Sequence, residues 1–422
     1  MKPRTALLAA LLLPCGALAQ TPDFNILVDG TAAPIWVLEG QAGTYTEMLG
    51  IGNPSVVWDQ ANTQYLMFFE TRLSDAYLFN DPLAEPPGLG LLPSDFDDCR
   101  KDRDSARAAI VWAIGRATSP DGFAWTLDGD HPLFVPTPGT YFSCQAAQPA
   151  VIFEASTGDW HMWFKAMQWN ANTAGSPEPC DDAARNWPWG CERVTGLGYA
   201  SSADGASWTP ALAPAVPMED ILSATGGSSD AVGFPRSVAL GSAWHLWFTT
   251  APNIYHATGL FPDTGWTIES TPAIVPGAQT WMEDKVYNGT AVCQDVQPRL
   301  SMFYGGKDED LGATVDQGMG LAINYLNPDE WILSDDNPLM QWGGVTDPET
   351  WDTWDVIQLG TDDYLLWYAD VDNAASNPKP KRIGFASTLT LSTTAPYASW
   401  DAVDLEPKVC ADADTDTDTD TD

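Results

Sequence analysis

Ile114-Gly115-Arg116-Ala117-Thr118-Ser119-Pro120-Asp121-Gly122-Phe123-Ala124-Trp125 is echoed by Leu197-Gly198-Tyr199-Ala200-Ser201-Ser202-Ala203-Asp204-Gly205-Ala206-Ser207-Trp208. In both, a Gly-x-Ala run leads through a Ser-x-Asp-Gly turn to a tryptophan. Asp-Gly between strand-like runs is a hairpin signal. The first half returns three more times, as Ile254-Tyr255-His256-Ala257, Met319-Gly320-Leu321-Ala322 and Ile383-Gly384-Phe385-Ala386. A tryptophan follows each of these as well, at Trp266, Trp331 and Trp400.

Working outward, each copy has an aromatic run upstream: Tyr65 to Phe69, Trp160 to Phe164, Trp244 to Phe248, Leu300 to Tyr304 and Tyr364 to Tyr368. Before each lies a short apolar or β-branched run, as in Pro54-Ser55-Val56-Val57 and Pro149-Ala150-Val151-Ile152. The unit is therefore four strands: inner, aromatic, Gly-x-Ala and tryptophan. No helical periodicity runs through it. A lone four-stranded sheet cannot bury both faces, whereas radial stacking of such sheets can. The pattern predicts an all-β, five-bladed β-propeller with four-stranded antiparallel blades. The region around Ile35-Trp36-Val37 is expected to help close the ring.

The 422 residues hold 19 Lys and Arg against 57 Asp and Glu, a formal net charge of -38. Such a field repels phosphate backbones, which argues against nucleic acid and anionic membranes as partners. Met1 to Ala19 reads as a secretory signal, with Lys2 and Arg4 leading an apolar stretch and a small-x-small site before Gln20. No segment has the uninterrupted apolar length of a membrane span. Residues 20–410 are assigned to the propeller. Residues 411–422 form an Asp-Thr tail too polar to pack. The expectation is a monomeric protein that is secreted or associated with the cell surface. No cofactor is expected. A structural Ca²⁺ would suit the acidity, but no motif supports one.

Six cysteines follow the signal, an even count that suggests disulfides in an exported chain. Cys180 and Cys191 share a loop and are expected to pair. Cys99 and Cys144 lie on adjacent blades at the same end, which makes a second bond plausible. Cys293 and Cys410 are either a third pair or, for Cys293, a buried thiol. There is no C-x-x-C pair, and the four histidines show no metal spacing.

Antiparallel neighbours place the start of an inner strand and the end of its aromatic strand at one end of a blade. Asn53 thus shares a face with Glu70, Gln148 with Lys165, and Asn288 with Gly305. The two longest loops, Thr71 to Ala108 and Met167 to Thr195, leave from this face. The second holds Trp169, which could stack on a sugar.

Pro-Ser-Val, Tyr-Leu-Met-Phe-Phe and Ile-Gly-Arg-Ala-Thr-Ser-Pro-Asp-Gly-x-x-Trp together resemble the furanosidase superfamily of five-bladed propellers. That superfamily includes glycoside hydrolase families 43, 32 and 68, and the resemblance spans roughly Phe24 to Asp401. It implies a carbohydrate ligand at the axis and glycosidic hydrolysis by a pair of carboxylates. In the resembled families a carboxylate precedes the first inner strand; here that place is Asn53. The blade-two equivalent is Gln148, and blade three reads Gly233-Phe234-Pro235-Arg236 where an acid Glu is usual. Neutral amides cannot serve as base or nucleophile.

Candidate replacement carboxylates are Glu70 first, then Asp230, Glu283 and Asp355, with Glu47, Asp284 and Asp352 also on this face. A Glu70–Lys165 ion pair is the structural competitor for Glu70. Arg236 could bind an acidic sugar or neutralise Asp230. Asn53, Gln148, Lys165, Arg236, Asn288 and Trp169 are the candidate substrate-binding residues. Two readings follow: a glycoside hydrolase-like propeller acting on or binding an oligo- or polysaccharide, or a non-catalytic extracellular propeller that binds carbohydrate or protein.

Overall fold

The computed structural model describes residues 22–26, 36–41, 44–46, 50–73, 111–169, 192–227, 232–240, 242–294, 299–308, 316–324, 330–342, 353–359, 363–371 and 381–389. They form five antiparallel blades. Blade one is Gly52–Asp59, Gln64–Leu73, Val111–Ser119 and Thr126–Leu127. Blade two is Gln145–Glu154, Asp159–Trp169, Glu192–Ser202 and Thr209–Pro210. Blade three is Val232–Leu240, Ala243–Thr250, Asn253–Gly259 and Thr267–Ile268. Blade four is Lys285–Gln294, Arg299–Asp308, Asp316–Asn324 and Ile332–Leu333. The inner strands contact one another in cyclic order, and the strand of blade five meets that of blade one. The ring is closed.

Blade five corrects the sequence reading. Its inner three strands are Thr353–Gln358, Tyr364–Val371 and Lys381–Ser387, as the repeat requires. Its outer strand is Asn25–Ile26 from the start of the chain, paired to Ser387 and Ala386. Trp36–Glu39 then pairs along Lys381–Ser387 as well. The N-terminal segment is therefore the end of the fifth unit, and the place expected for Trp400 belongs to Phe24. Trp400 itself lies outside the described residues.

Ring geometry confirms the substitution. The outer-strand aromatic of each blade packs edge-on against the aromatic strand of the preceding blade. The five pairs are Trp208–Phe68, Trp266–Trp163, Trp331–Trp247, Phe24–Phe303 and Trp125–Trp367. Their centroids lie 5.8, 6.2, 5.9, 5.8 and 6.2 Å apart, with interplanar angles between 81° and 88°. Edge-to-face contact is a favoured arrangement for aromatic quadrupoles. Here it is the repeated joint between blades.

The Gly-x-Ala motif has an equally direct cause. Gly115, Gly198, Gly320 and Gly384 face Phe69, Phe164, Tyr304 and Tyr368 across the ladder. A Cβ on any of these glycines would fall inside 3.0 Å of the opposing ring. Blade three puts Tyr255 at this place, stacked on Phe248 at 6.3 Å instead. The alanine two residues on is fully buried in all five blades.

Candidate functional site

Four inner strands carry, within their first four residues, one residue in the left-handed region: Asn53, Gln148, Phe234 and Asn288, at φ 47°, 53°, 51° and 49°. Each sits where its ladder slips register, between Gly52 and Ser55, Ala147 and Ala150, Gly233 and Arg236, and Tyr287 and Thr290. Such bulges re-aim the chain at a sheet edge. Asn53 and Gln148 are the places where the resemblance led us to expect carboxylates, and Phe234 lies in the blade-three stretch Gly233-Phe234-Pro235-Arg236. Blade five has no such slip, and its inner strand runs straight from Thr353.

Two residues beyond each bulge the side chains turn to the axis: Ser55, Ala150, Arg236, Thr290 and, by register, Asp355. They stand opposite Phe68, Trp163, Trp247, Phe303 and Trp367. Arg236 donates to the Pro54, Pro149, Pro235 and Trp354 carbonyls and to Thr290 Oγ1, at 2.9 to 3.2 Å. Those partners belong to all five inner strands, so the guanidinium lies on the axis and closes it. Asp355 Oδ1 lies 4.0 Å from it, and Asp355 Oδ2 accepts from the Val56 N–H at 2.6 Å. Burial outweighs the nearby guanidinium and pushes the Asp355 carboxyl up to about 6. Burial likewise lowers Arg236, against the pull of Asp355 and Glu70. Arg236 is 5% exposed and its donors are taken up by the inner strands, which makes it a structural hub of the ring.

Above this hub lies Glu70, also buried, opposite Gly52 in the ladder. Its partner is Lys381 of blade five, with Nζ 3.2 Å from Oε1. The ion pair expected with Lys165 is therefore made by a different lysine. A Cβ at Gly52 would lie 2.7 Å from Lys381 Cδ, so the glycine admits the lysine stem. Lys381 Nζ also lies over the Trp112 ring, 5.8 Å from its centroid. Glu70 Oε2 accepts from the Gln148 N–H at 3.2 Å, and Gln148 Oε1 accepts from the Phe234 N–H at 2.8 Å. A chain of bonds thus runs Lys381, Glu70, Gln148, Phe234 across blades five, one, two and three.

Gln148, Lys165, Phe234 and Lys381 are half-buried and form the outward layer of this end. Asn53 and Asn288 lie beneath it. Asn288 Nδ2 donates to the Trp354 carbonyl at 3.3 Å, while Asn53 Oδ1 and Asn288 Oδ1 have no hydrogen-bond partner among the described residues. Glu283 is exposed at the end of a short 3₁₀ turn, Thr280–Met282, and Asp284 follows it. Asp230, Glu47 and Asp352 lie outside the described residues, as does the side chain of Trp169. The residues that sequence reasoning missed are Lys381 and Phe234. The first is remote in the chain; the second hid in the Gly-Phe-Pro that replaces the expected acid.

His161 and His245 are buried and bonded within their own blades: His161 bonds Tyr199 Oη at 2.6 Å and Glu154 at 3.0 Å, and His245 bonds His256 at 3.0 Å. Cys144 and Cys293 each take part in a disulfide, so Cys293 is not a free buried thiol. Cys99, Cys180, Cys191 and Cys410 lie outside the described residues, so none of the three candidate pairings is described. Among the described residues no group of three or more His, Cys, Asp or Glu could hold a metal ion, and no helix is long and apolar enough to cross a membrane.

No protein-family model matches the sequence, and no curated protein matches it. Solved structures do. A glycoside hydrolase superposes with a TM-score of 0.56 at 13% identity, over 86% of this chain and 94% of its own. A protein of Parabacteroides distasonis with a provisional glycoside-hydrolase assignment gives 0.52 at 14% identity, over 88% and 98%. A third gives 0.50 at 13% identity, over 88% and 99%. It is described with the GH130 mannoside phosphorylases and with hydrolases that target β-1,2 mannosidic linkages in Candida mannan. The chain shares its fold with glycoside hydrolase-like propellers, across nearly the full length of each.

Proposed function

We propose that this protein is a secreted, carbohydrate-recognising propeller. It takes one end of an oligosaccharide at the axial face bounded by Glu70, Lys165, Phe234 and Lys381. The observation that carries this reading is the set of residues at the bulge positions nearest the axis. Asn53, Gln148 and Asn288 are amides, Phe234 is an aromatic, and the buried Glu70 carboxylate accepts from the Gln148 N–H beside them. Amides, a carboxylate and an aromatic ring are what hydroxyl-bearing rings need for orientation and packing. Export is supported by the leader-like start of the chain, and the choice of a carbohydrate by the fold likeness.

A second reading is hydrolysis. It is favoured by Glu70, a carboxylate positioned by two bonds at the axial end. Hydrolysis would need a second carboxyl within about 5–9.5 Å across the scissile bond. Asp355 is spoken for by Val56 and Arg236, so that partner would come from Glu283, Asp230 or another group of the same face.

Both readings meet in one experiment. The full chain is offered to an array of neutral gluco-, manno-, galacto-, xylo- and arabino-oligosaccharides with their uronate counterparts, and released sugar is measured in parallel. Saturable binding that weakens at least tenfold in Glu70→Gln supports carbohydrate recognition at this face. Released sugar that disappears in Glu70→Gln supports hydrolysis. An array with no bound glycan at any pH tested overturns both.

A further inference from the structure

Phe234 occupies the least favourable residue type for its backbone among the four bulge positions. Its φ is 51°, in a region that crowds Cβ against the carbonyl and suits Gly, Asn or Asp. Asn53 and Asn288 respect that preference, and Gln148 uses its side chain to accept from Phe234 N. Phe234 neither fits the conformation nor earns full burial, since its ring is only half-buried. One side of the ring meets Tyr287 at 6.1 Å and 49°, and Tyr287 in turn meets Trp354 at 6.1 Å. The ring thus packs in part against the cluster that holds Tyr287 and Trp354 and keeps the rest accessible, and backbone strain of this kind clusters at functional positions.

The neighbours hold this arrangement in place. Gly233 precedes Phe234, and a Cβ there would collide with Gln148 Oε1. The glycine is what lets the Gln148 amide reach across from blade two. Pro235 follows and sets the next φ. Gln148 is thereby tied on one side to Phe234 and on the other, through its own N–H, to Glu70.

We infer that Phe234 is the specificity-determining platform of the axial site, a ring on which the apolar face of a neutral sugar stacks. Gln148 is its positioning residue and couples the platform to Glu70. A flat ring accepts the C–H face of a pyranose or furanose, and the field of a chain of net charge -38 repels a carboxylate or sulfate, so the class selected is neutral. This inference rests on the carbohydrate reading above.

The test uses the full-length chain and the same array, with affinities for the best-bound neutral oligosaccharide and melting temperatures for each variant. Phe234→Gly relieves the strain and removes the ring. It is expected to keep a melting temperature near wild type and to lose at least tenfold in affinity. Phe234→Tyr restores a ring and is expected to bind within threefold of wild type. Gln148→Leu touches no sugar-stacking surface and is expected to lose threefold or more. Wild-type affinity in both Phe234→Gly and Gln148→Leu, with Glu70→Gln still impaired, overturns this inference alone. A Phe234→Gly protein that melts far lower yet binds normally makes the ring mere packing and overturns it too. Tighter binding to the uronate counterparts overturns the neutral class. A wild type that binds no glycan removes the parent reading and this one together.

Discussion

Glu70 ends a run of buried aromatic residues, and a carboxylate there can only be kept by a partner. Lys381 is that partner, with its stem threaded past Gly52 and its Nζ near Trp112. Breaking one half of a largely buried pair leaves the other charge without compensation. Lys381→Met is therefore expected to destabilise the protein by about 3 kcal/mol, read as a shift in the denaturant midpoint. The double variant Lys381→Met with Glu70→Gln should recover much of that loss. A double variant no better than the single one would mean that the lysine acts through packing alone. Glu70 was legible because a polar residue closing a five-residue apolar strand is conspicuous. Its partner was not, since 311 residues separate them and only the closed ring makes them neighbours.

At the scale of the element, each blade joint is one edge-to-face aromatic pair. Phe24 provides the ring of the fifth joint, against Phe303. Removing a large buried ring leaves a cavity that costs about 3–5 kcal/mol. Phe24→Ala should therefore weaken the fold as much as Trp208→Ala or Trp331→Ala does, in equilibrium unfolding. A near-neutral Phe24→Ala, with a large loss in Trp400→Ala, would return the fifth joint to the C-terminal residue. The repeat itself could not decide between them. A cyclic array looks the same wherever the unit is cut, and a downstream tryptophan satisfies the pattern as well as an upstream phenylalanine. Hydrogen bonding decides, because Asn25–Ile26 occupies the edge of Lys381–Ser387.

For the molecule as a whole, Arg236 and Asp355 are the centre of the ring, and their charge state is linked to its stability. Asp355 titrates near 6 when folded and at the ordinary carboxylate value when unfolded. The folded state therefore holds this proton more tightly. The stability it contributes is full below the ordinary carboxylate value and is lost as pH rises to about 6, a term of about 3 kcal/mol at most. Asp355→Asn keeps an acceptor for the Val56 N–H and removes the titration. The melting temperature of wild type minus that of Asp355→Asn should fall from pH 4 to pH 6.5. Parallel curves across that window would show that Asp355 does not titrate there.

The sequence by itself determined the five units, their four-stranded make-up and the end of the blades where amides and Glu70 gather. Those follow from local alternation, turn chemistry and strand direction, which neighbouring residues specify. The tertiary structure alone decided that Phe24 completes blade five, that Lys381 pairs with Glu70, that Arg236 seals the axis and that Phe234 stands strained at the site. Each of these depends on contacts between blades. Ring closure brings together residues hundreds of positions apart, and no local pattern along the chain encodes which of them meet.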